Sequence, residues 1–276
     1  MGVLRFFRWL RLELTNRNRH GKRLLAPFSK VSPFRNALSP RRIFLIRKSL
    51  GLGNRYLEIG VQRGFTLEAI SGERVGVDPY PRFDYSELPK GVTFYKTTSR
   101  DFFSASSEKD FDLIFLDGLH TAEETYGDFV NSLRLVSFNG AILIDDVLPS
   151  DEPSSIPDPS DSGEQKRQAG ITHDRWYGDV WRLAYLIMYG PIASAFETFL
   201  IGKGAAEQDH SQLLVLLKSV GSAGILMSDR DLAFMESLDF DECVHRGENS
   251  LLMSASVEEK ALERLSVLSL RHLEDF

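Results

Sequence analysis

Between residues 55 and 146 short apolar runs alternate with longer amphipathic stretches. "RYLEIG" (55–60), "RVGVD" (74–78), "VTFYK" (92–96), "FDLIFLD" (111–117) and "AILIDD" (141–146) have the length and composition of buried strands. The stretches between them predict helices at 64–71, about 99–105, and 122–136. Such alternation implies a parallel sheet with right-handed crossovers. Thr121 followed by Glu124 reads as a capping box for the third helix, and Asn139-Gly140 as the turn before the next strand.

The flanks extend this pattern. A helical stretch around Arg41 to Leu50 precedes Gly51 and Gly53. From Pro149 to about Thr172 the chain is rich in Pro, Ser, Asp and Gly, which predicts a long polar loop, either a disordered insert or a mobile lid. A helix is expected from Asp179 to Tyr189 with Asp179 as its cap. "AFETFLIG" and "SQLLVLLK" then read as two strands, joined closely enough to pair antiparallel. A last helix is expected from Val257 to about Leu273, opened by the capping box Ser256 to Glu259. The predicted fold class is α/β, a doubly wound, seven-stranded, mostly parallel sheet with an antiparallel last strand. A basic N-terminal helical arm (1–54) and a C-terminal helical extension (221–276) flank a core of 55–220, within which 149–175 is the polar loop.

Charge divides the chain. The net charge is -6, yet Met1 to Arg55 carries 14 Lys and Arg against the single acid Glu13. A basic arm thus precedes an acidic body. "MGVLRFFRWLRLEL" lacks the uninterrupted apolar stretch of a signal peptide. As a helix it suits peripheral contact with an anionic membrane, or an arm packed on its own domain or on a second copy in a homo-oligomer. No run reaches the length of a membrane span. The lone Cys243 excludes an intramolecular disulfide and suits a cytoplasmic setting.

The first strand ends in "LEIGVQRG", where Glu58, Gly60, Val61 and Gly64 lead into a helix. Glycines allow close approach to a ligand and the helix start offers N–H groups, but the acid suits a cation better than a phosphate. A nicotinamide-dependent oxidoreductase would instead show G-x-G-x-x-G. Asp78 ends the second strand, placed either to accept both hydroxyls of a ribose or to cap a turn. Together these features fit S-adenosylmethionine, whose amino and sulfonium groups are positive.

"YLEIGVQRG", "VGVDPYP", "FDLIFLDGLHTAEETYGDF" and "GAILIDDV", in this order and spacing, resemble class I S-adenosylmethionine-dependent methyltransferases. The pairing of "DGLH" with "IDD" looks most like the metal-assisted O-methyltransferases of small molecules and sugars. That resemblance implies methyl transfer to a hydroxyl of a sugar or other polyhydroxylated small molecule. It also implies a divalent ion at Asp117, Asp145 and Asp146, with Asp117 beside the cofactor as well. Three converging carboxylates would repel one another without a cation, and all-oxygen ligation suits Mg²⁺. By the same resemblance His120 is the base that takes the hydroxyl proton; otherwise it caps or packs at the head of the following helix. Ser99 matches a position near the adenine, and a plain helix cap explains it equally. "THDRWYGDVW" supplies His173, Arg175, Trp176, Tyr177 and Trp181, which either cover the acceptor pocket or pack helices. The rivals are the oxidoreductase and a non-catalytic nucleoside-binding or membrane-recruited scaffold. No nucleic-acid partner is expected, because an acidic body repels phosphates and no Asn-Pro-Pro-aromatic motif occurs.

Overall fold

The structure, a computed structural model, describes residues 26–27, 38–201, 211–219, 222, 224–240 and 243. Among these, strands β1 (Arg55–Ile59), β2 (Glu73–Val77), β3 (Val92–Tyr95), β4 (Phe111–Leu116), β5 (Val136–Ile144), β6 (Phe196–Ile201) and β7 (Gln212–Leu217) form one seven-stranded sheet. Its order is β3-β2-β1-β4-β5-β7-β6. Only β7 runs antiparallel, paired with β5 on one side and β6 on the other. The expected doubly wound sheet with an antiparallel last strand is the observed fold. Because strand order reverses between β1 and β4, the connections leaving them turn to opposite faces of the sheet, and a crevice for a ligand opens at their carboxyl ends.

The helices are α1 (Leu38–Leu50), α2 (Phe65–Ala69), α3 (Ser99–Ala105), α4 (Ala122–Ser132), α5 (Pro159–Gln168), α6 (Trp181–Tyr189) and α7 (Asp229–Glu236). Successive residues of a strand face opposite sides, so each central strand feeds two cores. Leu57, Ile59, Ile114 and Leu116 join Phe129 of α4 and Leu183 of α6 on one side. Tyr56, Leu113 and Phe115 join Ile43 and Ile46 of α1 and Leu67 of α2 on the other. Helix α7 adds Met235 to the first core, and the Tyr126 hydroxyl donates to Asp231 at 2.6 Å.

Four local expectations are corrected. The stretch 149–172 is not a structureless loop: a 3-10 turn at Glu152–Ser155 and helix α5 occupy it. Asp151 and Asp158 cap these two elements, and Pro159 starts α5, where its missing N–H costs nothing. The helix expected to reach 136 stops at Ser132, because Val136 already belongs to β5. Asn139 and Gly140 therefore lie inside that strand, at a register shift where a Cβ on Gly140 would strike the Phe111 and Asp112 carbonyls.

The third and fourth corrections share one cause. Thr121 makes no side-chain cap bond and Glu124 pairs with Arg100, so the capping box is not formed. Asp179 does not cap its own helix, which Val180 precedes. Its carboxylate instead accepts the Ala122 N–H at 2.7 Å and caps α4 from 57 residues away. Such a long-range cap has no sequence signature.

The predicted helix at Val257 to Leu273, its Ser256 and Glu259 cap, and most of the basic arm lie outside the described residues. Among the described residues no helix is long and apolar enough to cross a membrane. Because Asp179 and not Thr121 caps α4, Asp179→Ala is expected to lower unfolding stability by about 1 kcal/mol and Thr121→Ala by much less, measured by urea denaturation. Equal losses would restore the local cap.

Candidate active site

Residue Gly60 fixes the geometry of the crevice. Its φ is 89°, and a Cβ there would overlap the carbonyl of Asp117, so the ends of β1 and β4 approach as closely as they do only because residue 60 is glycine. The Asp117 N–H donates to the Ile59 carbonyl at 2.9 Å, locking the two ends together. Gln62 and Gly64 also have positive φ, which curls the turn before α2.

Around this turn three predicted cofactor residues come together. Glu58 points to the α1 side of the sheet, is 2% exposed, and accepts a 2.9 Å hydrogen bond from Tyr56. Burial, with the added charges of Asp117 and Asp78, pushes its carboxyl well above the ordinary range. Asp78 accepts from the N–H groups of Gln62 (2.7 Å) and Tyr80 (2.6 Å), tying the glycine-rich turn to the end of β2. Burial raises its carboxyl as well, and those backbone bonds oppose the rise. Val61 and Gly64 are buried in the same turn.

Ser99 starts α3, but the cap is Thr98, whose hydroxyl accepts from Asp101 N–H at 3.1 Å. The Ser99 hydroxyl is thereby left to Asp128. Asp128 was not anticipated; its one signal is an acid on the apolar face of α4. It is 7% exposed, and burial lifts its carboxyl to about 7.

On the other side of Gly60 lies a second acidic group. Asp117, His120 and Asp146 each offer a ligand atom, all within 4.8 Å of one another. His120 Nδ1 lies 3.0 Å from Asp146 and Nε2 lies 3.6 Å from Asp117. Asp146 has φ 57°, and its N–H donates to the Asp145 carboxylate at 3.0 Å, which keeps Asp145 one step from that triangle. Burial alone would lower the His120 imidazole, but Asp146, Asp117 and Asp145 outweigh it and raise it to about 9.

The cover over this cluster is the stretch from Asp151 to Gly178. Trp176 stacks on His120 with centroids 5.0 Å apart and planes 9° from parallel, and its indole N–H is pinned to the Ile156 carbonyl at 2.7 Å. Gly178 (φ 61°) lies so close to His120 that a Cβ would overlap the His120 carbonyl. Trp181, by contrast, is buried against Tyr185 and Phe240 away from the cluster, which makes it a packing residue. Glu58, Asp78, Asp117, His120, Asp128, Asp146 and Trp176 border a cavity of about 1450 Å³. A single small-molecule site takes roughly 300–1,000 Å³, so two molecules fit side by side.

Residues 57–147 match a family model described as a methyltransferase domain. Over those residues the chain is similar to a methyltransferase domain. The match covers β1 through β5 and extends to the Asp145-Asp146 end, so the resemblance read from the motifs holds over the residues that build the site. A search of curated proteins finds no significant match. Solved structures with a similar chain path include a cofactor-bound protein of MTB (17% identity, 69% of this chain and 85% of that one, TM-score 0.49). An O-methyltransferase from Bacillus cereus in complex with SAH is 16% identical over 68% of this chain and 90% of that one, with TM-score 0.42. The O-methyltransferase TomG of Streptomyces achromogenes, in complex with SAM, is 15% identical over 69% and 88%, with TM-score 0.42. At these levels none carries functional weight.

The buried acid Asp128 on α4 yields a pH test. A carboxyl near 7 in the folded state and near 4 in the unfolded chain binds more protons when folded, so its contribution falls as pH rises from 4 to 7. Asp128→Asn removes that term. Relative to wild type, the variant is expected to gain stability, on the order of a few kcal/mol, between pH 5 and pH 8 in denaturant titrations. A difference that does not change with pH contradicts the assignment.

Proposed function

We propose that this protein is a methyltransferase that transfers the methyl group of S-adenosylmethionine to a hydroxyl of a small polyhydroxylated molecule, a sugar or a similar acceptor. The observation that carries the reading is the convergence of Glu58, Asp78 and Asp117 on one glycine-rich turn, where burial and the charges of the other two push the Glu58 carboxyl well above its ordinary range. S-adenosylmethionine supplies what that turn lacks: an ammonium for the Glu58 region, a sulfonium beside Asp117, and ribose hydroxyls for Asp78. Ser99 and Asp128 stand where the adenine would end. The remaining volume of the cavity, under Trp176 and His173, is left for the acceptor.

The strand-end cluster suits a divalent cation. Asp117, Asp146 and His120 present oxygen and imidazole donors within 4.8 Å of one another. Mg²⁺ held there would lower the pKa of an acceptor hydroxyl. His120 sits between two carboxylates, so without another cation its own proton is the balancing charge. It becomes available as a base only when something else neutralises Asp117 and Asp146. The rest of the transfer is alignment of oxygen, methyl carbon and sulfur in one line, which rigid strand ends provide.

The single Cys243, which excludes an intramolecular disulfide, supports a reducing cytoplasmic setting. The basic arm supports contact with an anionic surface or a second copy. Two measurements test the chemistry. S-adenosylhomocysteine is expected to bind in calorimetry and to lose at least about tenfold affinity in Asp78→Ala, the scale of lost ribose hydrogen bonds; unchanged affinity would remove Asp78 from the site. With catechol or a methyl glucoside as trial acceptors, EDTA is expected to stop transfer and Mg²⁺ to restore it. Chelator-insensitive transfer would exclude the cation.

A further inference from the structure

The chain enters α4 through a bend whose main chain is held from several sides. The Leu119 carbonyl accepts the Thr121 N–H (2.7 Å) and the Thr125 hydroxyl (3.1 Å), and Gly178 of the cover packs against the His120 carbonyl. These contacts fix the backbone of His120 but leave its ring free to turn about the Cβ–Cγ bond. Trp176 stops that turn. Its indole lies 9° from parallel with the imidazole, with centroids 5.0 Å apart.

An imidazole nitrogen presents its lone pair in the plane of the ring, so whatever sets the plane sets the direction in which the ring can bind a cation. The two carboxylates then choose which edge faces the cluster: Asp146 lies 3.0 Å from Nδ1 and Asp117 lies 3.6 Å from Nε2. Nδ1 is shielded from solvent, which leaves Nε2 as the nitrogen to meet an ion. The indole is itself anchored. Its N–H donates to the Ile156 carbonyl at 2.7 Å, and the next two residues, Tyr177 and Gly178, donate their N–H groups to the Ser154 carbonyl at 3.0 and 3.2 Å. A ring already held in its plane loses little freedom when an ion binds. His173, the other histidine on the cavity wall, lies outside the triangle, with its Nε2 3.0 Å from Asp151 within the cover.

We propose that Trp176 is a positioning residue for the cation centre: stacked on His120, it holds the imidazole plane so that Nε2 meets a divalent ion shared with Asp117 and Asp146. This rests on the cation reading above. Trp176 acts through His120 and not on the ion, so the fold of the cover and the affinity of the strand ends for a cation are coupled through one aromatic contact. Groups that orient a ligating histidine without touching the metal are worth about 10–100-fold in metal affinity. Any aromatic ring at 176 supplies the stacking face, whereas an aliphatic side chain fills the space without it.

The electron paramagnetic resonance of free Mn²⁺, titrated into the full chain after chelation, measures this affinity without an acceptor. Trp176→Leu is expected to weaken Mn²⁺ binding at least about tenfold and Trp176→Phe less than about threefold, while S-adenosylhomocysteine affinity, read by calorimetry, stays within about twofold in both. In a His120→Ala background, Trp176→Leu is expected to change Mn²⁺ affinity by less than about twofold, because the contact it removes is already gone. Wild-type Mn²⁺ affinity in Trp176→Leu overturns the proposal, as does a Trp176→Phe variant as weak as Trp176→Leu. So does an equal loss of S-adenosylhomocysteine affinity, or a Trp176→Leu effect that persists undiminished without His120. A wild type that binds S-adenosylhomocysteine but no Mn²⁺ removes the cation reading and this proposal with it, so the two failures are told apart.

Discussion

Negative charge gathered at the carboxyl ends of β1, β2, β4 and β5 is the constraint on which the rest of the site depends. Glu58, Asp78, Asp117, Asp145 and Asp146 all border one crevice, and burial of all but the half-buried Asp117 limits screening by water. The protein manages this locally by several means. Tyr56 donates to Glu58, two backbone N–H groups hold Asp78, and the His120 imidazole lies between Asp117 and Asp146. Each measure is partial, since the Glu58 and Asp78 carboxyls still lie above their ordinary range. A crevice of this kind favours cationic ligands, which is the physical reason a sulfonium donor and a divalent ion suit it better than a pyrophosphate.

Two glycines allow the charges to stand so close. Gly60 brings the β1 end against the carbonyl of Asp117, and Gly178 brings the covering segment against the carbonyl of His120. Between them the "DGLH" stretch is gripped from both sides. The cover is itself a folded unit: the Tyr177 and Gly178 N–H groups both donate to the Ser154 carbonyl, and Lys166 donates to that of Arg175. Its polar composition suggests a loose loop, yet most of those Ser, Asp and Pro residues serve as caps and turn anchors. Polarity there is spent on backbone satisfaction instead of on solvent.

Much of this was legible in the chain. Alternating apolar runs gave the strands to within about two residues, apart from the start of β5 at Val136, because side-chain period is a local property that burial on both faces enforces. The glycine-rich turn and the acids that end β1, β2 and β4 were legible for the same reason: each must lie at a strand end whatever its neighbours do. Asp128, Asp151 and the pairing of His173 were not, since nothing in the spacing of residues 22 apart says that their side chains meet. Likewise the capping box at Thr121 and Glu124 was chemically sound but lost to Asp179, which tertiary packing delivers to the same N–H group.

By itself, then, the sequence determined which segments are strands, that they form a doubly wound sheet, and that acids and glycines collect at its carboxyl edge. Only the tertiary structure decided that His120 and not Asp145 completes a triangle with Asp117 and Asp146, and that a second histidine faces the same cavity. The division has one cause. Periodicity and turn chemistry act over a few residues, whereas caps, clusters and dyads depend on distances set when remote segments pack.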